Sequence, residues 1–383
     1  MVAHHPVIVR RHTSTMQAAV QLSKRLAKNW GLVATAVNAL PRQQSATLGS
    51  LIHRQRTIAS EKLNAKWIAA LIVCTSFGFS PATTLADEGG VPFWISGMFG
   101  SLAAVPGAPG WSLDAFYYHT QSDASASKSF QIGGNIVAGI SARADLVFVL
   151  PTYIFAQPVL GGQAGLMVGA GGGAMDVSAN ATLTGPFGGQ RSAGKSDSLS
   201  GATDLYTLGT LKWQSGNHNY MAYTMIGAPV GSYEKGRLAN ISTNHWSIDA
   251  GGGYTYFDTR KGREFSAVGG LTYNFENPDT HYRNGIDGHI DWGASQFFSE
   301  RLHAGLVGYF YRQLSGDGGS GALLGDFNSR TNAVGPQVGY FFPFGGGKGY
   351  VNLKGYYEFD ATHRPEGWNV WLTVVLPLGG ASR

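Results

Sequence analysis

From Trp111 onward the chain repeats one pattern: about ten residues of alternating apolar and polar character, then a short break rich in Gly, Asn, Asp and Ser. In 246–258, Trp246, Ile248, Ala250, Gly252, Tyr254 and Tyr256 fall on one face, and Ser247, Asp249, Gly251, Gly253 and Thr255 on the other. In 350–360, Val351, Leu353, Gly355, Tyr357 and Phe359 oppose Asn352, Lys354, Tyr356 and Glu358. Strand side chains alternate between faces, so each segment has one apolar and one polar side. The same reading places strands over 111–120, 130–141, 143–151, 162–178, 203–213, 218–227, 264–275, 287–298, 301–313, 331–342 and 368–377. That makes thirteen segments, whereas single-chain bacterial barrels carry even numbers of strands. An all-β single antiparallel barrel of about 12 strands is the expectation, with 14 as the alternative. A soluble sandwich shows the same alternation and stays open on this signal alone.

Composition separates the two. Only 13% of residues are charged, about half the usual share, while 55 are Gly and 12% are aromatic. Mean hydropathy is nevertheless near zero, at −0.06. No run of about 20 apolar residues exists to make a spanning helix. Strands that alternate between lipid and water satisfy all of these facts. Aromatics cluster at strand ends, in Phe116–Tyr117–Tyr118, Tyr309–Phe310–Tyr311, Tyr340–Phe341–Phe342, and Trp368 with Trp371, as interfacial girdles require. Long breaks at 184–197, 276–280 and 315–321 suit the outer side. The Gly216–Asn217 break suits the periplasmic one.

The basic balance belongs to the first part of the chain. Ten of the 28 Lys and Arg lie within residues 1–66, against the single acid Glu61. Residues beyond 86 hold 18 basic and 22 acidic side chains, a net of −4, so the overall charge is no argument for nucleic acid. Lys62 and Lys66 precede an apolar core over 67–79, and Thr84–Leu85–Ala86 offers a small residue before Asp87. That three-part layout reads as a signal peptide over 62–86. Residues 1–61 are then expected to be a basic extension, either disordered or from a misassigned start. The only cysteine, Cys74, sits inside the leader, which leaves the mature chain without thiols or disulfides.

No motif for chemistry stands out. Gly169-x-Gly171-x-x-Ala174 matches a dinucleotide fingerprint formally, but no helical pattern follows, and a Gly-lined strand fits better. The seven histidines beyond residue 86 are not paired at ligand spacing. No catalytic residue, metal ligand or cofactor is expected. The polar faces are the functional part of a pore, and they place Arg143, Asp145, Lys212, Asp249, His289, Asp291, Lys354 and Glu358 toward the lumen. For any one of them a salt-bridged, hydrated wall explains the residue better than solute contact does. Residues 87–110, with Pro92, Pro106 and Pro109, suit a spanning strand poorly. The expectation is a lumenal plug or latch carrying Phe93, Trp94 and Phe99.

Residues 90–112 (GVPFWISGMFGSLAAVPGAPGWS) and 142–162 (ARADLVFVLPTYIFAQPVLGG) together resemble the family labelled "phenol degradation protein, meta pathway", also called SphA-like outer-membrane proteins. The resemblance extends over roughly residues 88–378. It implies an outer-membrane barrel associated with uptake of aromatic or other hydrophobic compounds, with lipid and a small solute as partners and no enzymatic activity. The chain departs from common barrel practice at its end, since the last strand runs through Pro377–Leu378 into Gly-Gly-Ala-Ser-Arg without a terminal aromatic. A non-transporting structural, adhesin-like or lipid-binding barrel is the alternative function, and a secreted soluble β-protein the third.

Overall fold

In a computed structural model, residues 92–132, 135–184, 190–323 and 328–378 are described. The signal peptide at 62–86 and the basic extension before it lie outside the described residues. Thirteen strands follow in order: β1 Gly110–Ile132, β2 Asn135–Ile154, β3 Gln163–Thr184, β4 Gln190–Ala202, β5 Leu205–Ser215, β6 His218–Ala228, β7 Ser247–Asp258, β8 Arg263–Asn274, β9 Asp287–Phe297, β10 Leu302–Gln313, β11 Arg330–Phe344, β12 Gly347–Thr362 and β13 Glu366–Leu378. Each pairs antiparallel with its neighbour, and β1 closes on β13 from Trp111↔Leu378 to Asp123↔Glu366. Closure removes every sheet edge within the ring, the condition for a sheet to survive in lipid.

The odd strand count resolves at one bulge. The lower part of β3 pairs with β5, from Gln163↔Lys212 to Gly169↔Tyr206, and its upper part pairs with β4, from Gly172↔Ala202 to Thr184↔Gln190. β4 therefore continues β5 along the same edge of β3, interrupted at Thr203–Asp204. The ring has twelve strands, and β4 is an extension above its rim. The Thr203 hydroxyl accepts the Gly171 amide at 2.7 Å, which fills the gap in the ladder.

Two expectations need correction. The 184–197 stretch is not a loop throughout, because β4 begins at Gln190. Its side chains from Ala193 on are largely exposed on both faces, so it has no apolar alternation to read. The boundary between 130–141 and 143–151 is also misplaced: β1 runs to Ile132 and β2 is continuous from Asn135. The Gly169–Ala174 fingerprint lies inside β3, where a Cβ on Gly171 would meet the Val147 carbonyl of β2. That position serves strand packing.

The outer face is apolar. Leu306, Ile290, Leu271, Leu353 and Val149 are among its exposed side chains. Exposed rings lie at both ends of the strands, with Trp111, Tyr220, Phe265 and Tyr340 at one end and Trp246, Tyr273, Phe310 and Trp368 at the other. Part of the aromatic clustering is lumenal instead: Tyr118, Tyr309, Tyr311 and Trp371 are buried on the inner face. The 216–217, 259–262 and 345–346 turns join strands at the end where the chain enters β1 and leaves β13. The long 229–246, 275–286 and 314–329 connections lie at the other end.

Candidate functional site

The lumen is occupied by the chain's own segment 92–109. Its upper part lies at the level of Tyr206, whose ring stacks with Phe93 at 6.0 Å. It then descends to the lower rim, where Gly107 and Gln163 exchange hydrogen bonds of 2.8 and 2.9 Å. A segment without strand partners must find acceptors and donors for its backbone elsewhere. Here the wall supplies them through side chains. The Leu102 amide donates to Glu264 at 2.9 Å, the Ala104 amide to the Thr255 hydroxyl at 3.0 Å, and Lys212 Nζ donates to the Val105 carbonyl at 3.3 Å.

The tightest grip is on the turn at Gly97–Phe99. Both oxygens of Asp291 accept backbone amides, Gly97 at 3.0 Å and Phe99 at 3.1 Å. From β12, three strands along the wall, Lys354 Nζ donates to the carbonyls of Gly97 at 2.6 Å and Met98 at 3.0 Å, and the Tyr356 hydroxyl donates to Gly97 at 3.1 Å. Gly97 is required here: its φ is +86°, and a Cβ would stand 2.9 Å from the Tyr356 ring. A carboxylate for two amides and an ammonium for two carbonyls match the turn's polarity group by group, so the buried pair is satisfied by the segment it holds.

Beside this clamp, Trp94 lies flat on His289, with centroids 3.6 Å apart and planes 19° apart. His289 Nε2 is 2.9 Å from Asp249 Oδ2, and both side chains are fully buried. Thr272 donates to the same Asp249 oxygen at 2.5 Å. Phe99 and Trp94 both pack against Tyr223, at 5.9 Å. Glu358 sits near the upper rim, where it accepts from the Tyr309 hydroxyl at 2.7 Å and the Gly367 amide at 3.0 Å.

Six of the eight residues expected on the inner wall thus face inward: Lys212, Asp249, His289, Asp291, Lys354 and Glu358. Arg143 and Asp145 do not, and this is a correction. They lie on the outer face of β2, in phase with exposed Val147 and Val149, while Ala144, Leu146 and Phe148 are buried. Both phases of this stretch are apolar from residue 146 to 150, so alternation leaves its register open. Their charge is tolerated because they lie near the upper end of the β1–β2 pair, opposite Gln121 and His119, where Asp145 meets Arg143 at 3.2 Å and His119 at 2.7 Å. Sequence reading singled out none of Glu264, Thr255, Gln163 and Tyr356 as site residues, although alternation already put Thr255 and Tyr356 on the polar faces. What alternation does not give is the partner that each one meets. Among the described residues no group of three or more His, Cys, Asp or Glu is placed to hold a metal.

Between the segment and the wall lies a cavity of about 40 Å³ with no polar lining surface. Phe93, Ile95 and Met98 contribute from the segment, and Phe116, Phe148, Tyr206, Met225 and Trp371 from the wall. Met167 and Leu208 also border a second space of about 200 Å³, nearer the lower rim and lined by Asp114, Thr152, Gln163 and Lys212. Asp114 accepts from Ser112 at 2.9 Å and from Thr152 at 3.0 Å. An apolar chamber therefore adjoins a space of mixed lining, with Asp114 and Lys212 among apolar neighbours, across Met167 and Leu208.

A closed twelve-strand ring with an apolar exterior and polar groups turned inward is a transmembrane β-barrel of the outer-membrane type. The chain belongs to the family described as "Putative MetA-pathway of phenol degradation", which it matches over residues 125–374. Among solved structures it is similar to an outer membrane channel from Pseudomonas putida F1, at 14% identity and a TM-score of 0.53, over 71% of this chain and 97% of that one. A FadL homologue from Pseudomonas aeruginosa shares 7% identity at a TM-score of 0.39, over 77% of this chain and 99% of that one. No curated protein matches the chain in sequence.

Proposed function

We propose that the barrel carries small hydrophobic or aromatic solutes passively across the outer membrane, through a lumen that segment 92–109 narrows. The observation that carries this reading is the cavity between segment and wall, whose surface is formed by aliphatic and aromatic carbon and methionine side chains. Such a space holds no partner for water and favours an apolar guest. Met98, Met167 and Met225 around it can repack for solutes of different outline. The adjoining vestibule with Asp114 and Lys212 offers a released solute a hydrated way out. The chamber is too small to hold a long chain without movement of the segment, so the segment acts as a latch. The inward-facing residues Lys212, Asp249, His289, Asp291, Lys354 and Glu358 hold that latch and the wall in place, and the titular phenol chemistry of the family is not assigned to them.

The similar Pseudomonas putida structure is described as an outer membrane channel, which supports the reading at the level of fold. Swelling of liposomes containing the purified barrel tests it. Phenol-like solutes should enter faster than sugars of similar size. Equal exclusion of both would refute the transport reading and leave a closed structural barrel.

A further inference from the structure

We propose that a groove on the outer face of β8–β11 binds an anionic phospholipid, with its phosphate between Arg312 and Arg330 and an acyl chain over Gly269 and Gly288. Arg312 and Arg330 stand directly opposite each other in the β10–β11 ladder, and both point outward. Like charges in that position repel and weaken a strand pair unless an anion lies between them. Asp360 answers only one of them. It takes Arg330 Nη2 at 3.0 Å and also accepts from Asn332 at 3.3 Å, while Arg330 Nε donates to Thr362 at 3.1 Å. Arg312 has no ion pair or hydrogen bond among the described residues, so the three charges sum to +1 with an exposed guanidinium to spare.

Below the arginines the wall is hollowed. A groove of about 610 Å³ runs down the outer surface, with Gly269 and Gly288 in its floor and Leu271, Ile290, Phe310 and Leu314 at its sides. Gly269 pairs with Ile290 and Gly288 with Leu271, so both glycines face outward at positions where neighbours carry lipid-facing side chains. The arginines lie near the upper ends of β10 and β11, at the height of lipid headgroups, and the groove extends from them into the apolar belt. A cationic clamp continuous with an apolar trough matches a phosphate joined to an acyl chain. A free phosphate would use the clamp and leave the trough without a role.

Native mass spectrometry of the purified barrel, in micelles doped with phosphatidylglycerol or phosphatidylcholine, tests the assignment. Phosphatidylglycerol should be retained in preference to phosphatidylcholine. R312Q should weaken that retention about tenfold, the loss of one charge-assisted contact. Because the Arg312 side chain has no partner among the described residues, R312Q should also raise the unfolding temperature of the lipid-free barrel, which a structural role would not do. G269F fills the trough from a position where a Cβ meets only ordinary contacts, at 3.4 and 3.5 Å. It should displace the lipid and leave binding of inorganic phosphate unchanged. Heat-modifiable migration checks that each variant is folded. Equal retention of both lipids, or R312Q retention equal to that of the parent protein, overturns the proposal. So does phosphate binding without any preference for the anionic lipid, since that outcome makes the arginines a site for a free anion.

Discussion

Replacing Asp291 with Asn tests the grip on the lumenal segment with almost no change of volume. The carboxylate accepts two amides, from Gly97 and Phe99. An Asn side chain keeps one acceptor and turns an NH₂ group toward the other amide, so one buried donor loses its partner. An unsatisfied buried donor costs about 1–3 kcal/mol, and removing one charge of a buried pair about 3–5 kcal/mol. Lys354, which holds the same turn from the other side, would be left as an unbalanced buried cation. A loss of about 3 kcal/mol shifts the docking of the segment by more than about a hundredfold. In planar bilayers, Asp291→Asn should show frequent openings that the parent protein lacks. Limited proteolysis should cut within residues 92–109 while the barrel itself stays resistant. Unchanged conductance together with unchanged protection of the segment would refute the reasoning that this turn is held by charge.

Deleting residues 92–109 should raise conductance and abolish any preference for apolar over sugar solutes in swelling assays. Conductance equal to that of the full chain would show that the segment does not narrow the pore. Leu306, exposed on the outer face near the middle of β10, should lose about 2–4 kcal/mol of folding stability in bilayers on replacement by Lys. Equal stability in urea titrations would mean that this face does not meet lipid. Above the rim, the Arg237 guanidinium beside Asp197 holds its carboxyl down to about 2, assisted by the Ala239 and Leu238 amides. A folded value below the unfolded one of about 3.9 stabilises the attachment of the 229–246 connection at pH above about 4 and is lost as pH falls toward 2. Hydrogen exchange in that connection should therefore accelerate between pH 4 and 2, and Arg237→Ala should weaken the dependence, leaving the part due to the Leu238 and Ala239 amides.

Much of the barrel was legible because lipid and water impose opposite demands on the two faces of every spanning strand. The alternation of β7 and β12 assigned Asp249, Lys354 and Glu358 to the inside. It failed where that demand lapses. In β2, residues 146–150 are apolar on both faces, since the inner side lines the apolar cavity, and Arg143 and Asp145 were read one residue out of phase. In β4 the side chains from Ala193 on are largely exposed on both faces, so no pattern marks the strand. The segment 92–109 was marked as unfit for the wall by its prolines, but nothing in its sequence names Asp291, Lys354 or Tyr356 as its partners.

The sequence by itself determined that this chain makes a sheet closed against lipid, with about twelve spanning strands and its polar groups turned inward, because period-2 patterning is a local property of each strand. The tertiary structure decided what those polar groups hold. Asp291 and Lys354 are 63 positions apart and both nearly 200 or more from Gly97, and only ring closure brings them around one turn. The same closure joins the apolar chamber to the space beside Asp114 and Lys212. Contacts of such sequence separation depend on strand register and on curvature of the whole ring, and neither is written in any one strand.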